Sequence, residues 1–212
     1  MTIRWKVTLI LVILSLFTVV VVGVNLYTFD ALKGDAPSIN LAGSLRFRAY
    51  RLAWLAGQVA VAPEAQQQSL RKSMSEDLAT YEKIMNGLEK GDAALKLTPM
   101  DDAASLSQLN SLKPRWQAFQ TAVSGVIAAP QAQAGQIAGQ IHAMVPEYVA
   151  EMNKLVFLLD EQSQRKVAQA KLIEIVFLAI ALIVAVGAWL IVRNQVLAPL
   201  ATLSASFAAI AG

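Results

Sequence analysis

The chain has no cysteine and a single histidine, His142. The first absence excludes a disulfide framework and any thiolate-ligated metal site. A lone histidine with no clustered acid near it supports neither a metal centre nor a nucleophile triad, so a packing or surface role is expected for it. Phosphate-binding loops, alternating strand patterns and internal repeats are also missing, and no cofactor is implied. Charge is scarce: 16% of the 212 residues are charged, the net charge is +3, and 56% are hydrophobic. That balance is too apolar for an ordinary soluble domain. The small net charge, with no basic stripe carrying interleaved aromatics, argues against nucleic acid as a partner.

What is abundant is apolar sequence, concentrated in two runs. Val7–Val24 carries no charge and is long enough to cross a bilayer at ~1.5 Å per residue. Trp5 and Tyr27 bracket it as interfacial aromatics, and Arg4 and Lys6 precede it, which places the N-terminus on the cytoplasmic side. A cleaved signal peptide is the competing reading. The long apolar core and the lack of a small-x-small cleavage site favour an uncleaved anchor. The second run, Ile175–Val192, ends at Trp189 and Arg193. The division expected from this is a cytoplasmic N-terminus over 1–6, membrane helices over 7–27 and 171–193, and an outer domain over 28–170. Both membrane helices would sit in a bacterial inner membrane, with the outer domain in the periplasm.

The outer segment reads as helix throughout. Ala62-Pro63-Glu64 starts one helix, and Leu70, Met74, Leu78, Tyr81, Met85 and Leu88 form its seam before a stop at Gly91. Thr98-Pro99 followed by Asp101 and Asp102 predicts the next start, with Thr98 as N-cap. Leu106, Leu109, Trp116, Phe119, Val123 and Ile127 continue that helix, and Pro114 should kink or restart it. After Pro130 the glutamine-alanine-glycine tract is weak, so the last helix is expected only after Pro146, on Tyr148, Met152, Leu155, Leu159 and Val167. Short connections imply an all-α, membrane-anchored antiparallel four-helix bundle. The acids read as solvated surface. Between Asn25 and Ala170, fourteen Lys and Arg face fourteen Asp and Glu, so any anion preference must be local.

One stretch is locally basic. Asp35–Ala53, D-A-P-S-I-N-L-A-G-S-L-R-F-R-A-Y-R-L-A, carries Arg46, Arg48 and Arg51 and no acid after Asp35. Pro37 either breaks the chain away from the first membrane helix or sits in the first turn of a new helix. As a helix, Ile39, Gly43, Arg46 and Tyr50 share one face. Gly43 permits close approach of a second helix, and Arg46 offers a planar fork of donors suited to an oxyanion. By composition alone the three arginines could equally pair with acids or cover the bundle with their stems.

I-N-L-A-G-S-L-R-F-R-A-Y-R-L resembles the P-box of the NarX/NarQ-type nitrate/nitrite sensor kinases, a stretch shared with receptors carrying a PilJ-like N-terminal sensor. The resemblance implies a homodimer in which Arg46 of each subunit grips one nitrate or nitrite, with backbone near Gly43 shaping the site. Arg51 matches a second P-box arginine with a signalling or structural role, and Asn40 matches the I-N pair as a structural residue. Phe47 and Arg48 depart from the usual P-box, which leaves ligand preference open. Residues 194–212, with Pro199, Leu200, Leu203, Phe207 and Ile210, resemble the first helix of a HAMP linker, against the alternative of an amphipathic tail on the membrane surface. No catalytic module is recognisable, so a downstream kinase or chemotaxis output is expected outside these residues. Three readings follow: a nitrate/nitrite sensor input for a histidine kinase, a pilus-type chemoreceptor input for another small ligand, or a membrane-anchored helical scaffold for a protein partner.

Overall fold

The computed structural model describes residues 3–201, and they are helical almost throughout. The elements are α1 (Ile3–Leu32), α2 (Asp35–Val61), α3 (Glu64–Lys90), α4 (Ala103–Ala128) and α5 (Gln131–Val192), with a π-helical turn over Arg193–Leu197. Two compact units result, one from residues up to Ala31 with residues from Lys166 onward, the other from Leu32–Arg165.

The first unit is an antiparallel helix pair. Phe17 of α1 meets Phe177 of α5 edge-on at 5.6 Å, and Lys6 Nζ donates to Gln195 Oε1 at 2.9 Å. Both helices are long and apolar enough to cross a membrane. Their side chains are exposed over most of the apolar stretch, as lipid-facing residues would be. The Arg193 guanidinium lies 5.2 Å from the Trp189 ring centroid, a cation–π contact of the kind found where a helix leaves the bilayer. Of the expected HAMP helix, residues 202–212, including Leu203, Phe207 and Ile210, lie outside the described residues.

The second unit is an up-down-up-down bundle of α2, α3, α4 and the first part of α5. Lys113 of α4 pairs with Glu89 of α3, while Arg71 near the other end of α3 donates to the carbonyls of Val126 and Ile127. The second contact satisfies carbonyls that the end of α4 would otherwise leave without partners. Gln108 of α4 reaches Glu151 of α5, Arg115 reaches Glu147, and Phe119 stacks on Tyr148. Gln131 of α5 donates to the carbonyl oxygens of Ala60 and Ala62 at the far end of α2. The centre is aromatic: Tyr81 stacks on Trp116 at 4.2 Å, and the Tyr81 hydroxyl donates to that of Tyr148 at 2.7 Å. Burial raises the Tyr81 phenol pKa well above its ordinary value, so the pair stays neutral.

Several expectations need correction. The last helix begins at Gln131 and runs through Pro146. Ala134, Ala138, Ile141 and Val145 form its buried seam. Pro146 and His142, whose carbonyl lacks the i+4 donor, are both exposed, on the side of the helix where solvent can serve that carbonyl. Pro114 is accommodated in α4 in the same way, with Asn110 exposed one turn before it. The N-cap of α4 is Asp102 rather than Thr98, and its carboxylate accepts from Ser105 N and Oγ, both at 2.9 Å. The Ser105 backbone amide is the main reason the Asp102 carboxyl sits below its usual pKa, so the cap's contribution persists at neutral pH and fades as acid protonates it. Thr98 instead packs on Gly34, where an added Cβ would collide with its Oγ1. Pro37 falls in the first turn of α2. Gly91 ends α3 at φ +82°, a conformation open to glycine, with Pro99 packed over it.

Candidate functional site

α2 has two unlike faces. Ala42, Leu45, Ala49, Leu52, Ala53 and Ala56 are buried, and the small alanines bring the helix close to its neighbours. On the opposite side Phe47, Tyr50 and Trp54 stand at i, i+3 and i+7, exposed by 66%, 53% and 57%. Asn40 is exposed on that side too, and Gly43 is half-buried within the stripe. Arg46 lies at one edge of the stripe and Arg51 at the other.

The three arginines have different fates. Arg48 Nη1 lies 3.0 Å from Asp77 Oδ1, and Arg51 Nε lies 2.8 Å from Asp77 Oδ2. Asp77 is buried on α3 between Met74 and Tyr81, so its carboxylate is held by two guanidinium groups rather than by water. This corrects the reading of the acids as uniformly solvated. The signal was in the sequence: position 77 falls at i+3 from Met74 and i−4 from Tyr81, on the seam itself. Arg51 is thereby committed to the α2–α3 contact, as is Arg48.

Arg46 turns the other way, toward α5. Its Nη1 donates to Asn153 Oδ1 at 2.7 Å, and its Nε to the Gly43 carbonyl at 3.2 Å. The guanidinium lies back over Gly43, where an added Cβ would come within 3.3 Å of Nη2. Both acceptors are neutral, so Arg46 keeps its charge undiminished. Three guanidinium groups and one carboxylate leave this part of α2 positive within an otherwise balanced domain.

Other features offer less. A groove of ≈ 220 Å³ between α3 and α4 is floored by Trp116, and its Lys113 and Glu89 neutralise each other at 2.7 Å. His142 is exposed, its Nε2 beside Gly57. Among the described residues no group of three His, Cys, Asp or Glu could hold a metal ion.

The family model for the type IV pili methyl-accepting chemotaxis transducer N-terminal region, PilJ, matches residues 27–141, more than half of the chain. Among solved structures, the ligand binding domain of the P. aeruginosa nitrate receptor McpN aligns at 19% identity with a TM-score of 0.45, over 60% of this chain and 96% of that one. The curated proteins give no match.

Proposed function

Because the chain belongs to the PilJ family of chemotaxis transducer N-terminal domains, we propose that it is the input module of a transmembrane receptor, that it binds nitrate or nitrite through Arg46, and that it works as a homodimer in a bacterial inner membrane. The observation that carries the anion reading is the contrast among the three arginines. Arg48 and Arg51 share a carboxylate, whereas Arg46 is oriented by two neutral oxygens and keeps a full positive charge at the edge of an exposed face. The family match favours a chemotaxis output and gives no support to a histidine kinase output.

The dimer reading rests on the aromatic stripe Phe47, Tyr50 and Trp54, which is too apolar and too contiguous to suit a face left in water. Two copies joined there would bring two Arg46 groups together. At a separation of ~6 Å they would repel by roughly 3 kcal/mol at an effective dielectric near 20. One monoanion between them turns that repulsion into charge-assisted contacts, and micromolar affinity needs only about 8 kcal/mol. Such a ligand binds one spacing of the two α2 helices better than another, which is the condition for shifting a two-state equilibrium. The scaffold reading, without a ligand, leaves the neutral tether of Arg46 without a purpose.

The test is a calorimetric titration of the detergent-solubilised chain with nitrate, nitrite and chloride. Arg46→Ala is expected to abolish nitrate binding while the bundle melts as the parent does. Arg51→Ala is expected to keep nitrate binding and lose stability. Retained nitrate binding in Arg46→Ala would overturn the reading. A second expectation concerns Gly43. Gly43→Ala fills the space under the guanidinium, so it should weaken nitrate binding several-fold. It should also stabilise α2 by up to about 1 kcal/mol, because alanine replaces glycine inside a helix. Thermal melts beside the titration check both halves of this trade-off.

A further inference from the structure

We infer that Asn153 is the positioning residue that holds the Arg46 guanidinium ready for an oxyanion, and that its being neutral is essential to that task. The inference rests on Arg46 being the anion contact. An arginine side chain in water samples many rotamers, and freezing it on ligand binding costs affinity. Here two acceptors hold it beforehand, one from α2 itself and one from α5, 107 residues further along the chain. A guanidinium carries five N–H donors in a fixed fork. With Nε on the Gly43 carbonyl and one Nη1 hydrogen on Asn153, the second Nη1 hydrogen and both Nη2 hydrogens stay available. That is enough to meet two oxygens of a planar anion.

The chemistry of the partner matters as much as its position. Asp77 shows what a carboxylate does in this fold: it ties Arg48 and Arg51 down and offsets part of their charge. Asn153 offers an oxygen of similar reach with no charge. The acid nearest to it in sequence, Glu151, is engaged by Lys154 at 2.7 Å and by Gln108 at 3.0 Å, and the Lys154 contact is the main reason its carboxyl pKa is lowered. Phe157, one turn beyond Asn153 on α5, is 66% exposed. It would join the α2 aromatics in keeping water from the Arg46 contact once a second copy is in place. Because Asn153 belongs to α5, which is one continuous helix from Gln131 to Val192, an anion pulling on Arg46 also loads the helix that enters the membrane.

The test compares the full chain in detergent with Asn153→Ala, Asn153→Asp and Asn153→Gln, each titrated with nitrate and melted. Asn153→Ala is expected to bind nitrate about tenfold more weakly, as loss of a hydrogen bond to a charged group implies. It should also discriminate less between nitrate and chloride. Asn153→Asp is expected to melt no lower than the parent, yet to lose nitrate binding as completely as Arg46→Ala. Asn153→Gln, which keeps an amide oxygen, should recover part of the affinity. Loss of binding without loss of stability in Asn153→Asp is a result that a merely structural residue would not give. Parent-like or tighter nitrate binding in Asn153→Ala, or parent-like binding in Asn153→Asp, overturns the inference while the Arg46 reading stands. If the parent itself binds no nitrate, the Arg46 reading fails and this inference falls with it.

Discussion

Asp77→Ala is expected to cost the bundle about 3 kcal/mol, because removing one partner leaves the other charges stranded in a contact built around them. The Arg48 side chain is 26% exposed and that of Arg51 45%, so water screens part of the loss. For this reason the figure lies at the low end for a buried ion pair. Thermal melts should show a fall on the order of 10 °C. The two arginines should not be equivalent. Arg48, less exposed, should cost more when replaced by alanine than Arg51 does. A change within about 0.5 kcal/mol for Asp77→Ala would mean that the cluster is a surface ornament. The contrast between two arginines that share a carboxylate and one with neutral partners would then be lost.

The second large effect is on assembly. Trp54→Lys places a cation at one end of the exposed aromatic stripe, one turn beyond Tyr50. Trp54 is 57% exposed, so the bundle should fold unchanged. A buried interface tryptophan typically contributes about 2–4 kcal/mol to association, and like-charge repulsion adds to its loss. Dimer affinity should therefore fall by about a hundredfold or more at 1.4 kcal/mol per tenfold. Sedimentation of the detergent-solubilised chain reads this directly. Nitrate binding should fall in parallel, because the proposed site takes an arginine from each copy. The absence of cysteine gives a clean background for a confirming experiment. A single cysteine introduced at Tyr50 should form an intermolecular disulfide in the parent background and fail to do so beside Trp54→Lys. A Trp54→Lys chain that sediments as the parent does would move the interface elsewhere.

Helices with large apolar seams were legible in the sequence, as α3 and the Trp116–Phe119–Val123 part of α4 demonstrate. Such residues announce their face by size and spacing. The first turns of α5 were not, because Ala134 and Ala138 fill their buried positions and alanine does not distinguish a core from a loop. Pro146 misled for a related reason. A proline is costly where its i−4 carbonyl is buried, and sequence alone does not say that His142 is exposed. The Thr98-Pro99 pair looked like a helix start, but Thr98 is taken up against Gly34, a contact between distant residues. The resemblance to the P-box singled out Arg46 and Gly43, and the structure shows Arg46 Nε on the Gly43 carbonyl. Their partner Asn153 was not legible, since a polar residue on an exposed helix face carries no mark of what it meets. Asp77 could have been found from its place on the α3 seam, and its two arginines then follow from the need to pair a buried carboxylate.

The most direct measurement is the number of nitrate ions bound per chain, by calorimetry on the solubilised parent with Arg46→Ala as control. A site shared between two Arg46 side chains requires one ion for every two chains and none in the variant. One ion per chain, or binding that survives loss of Arg46, would contradict it.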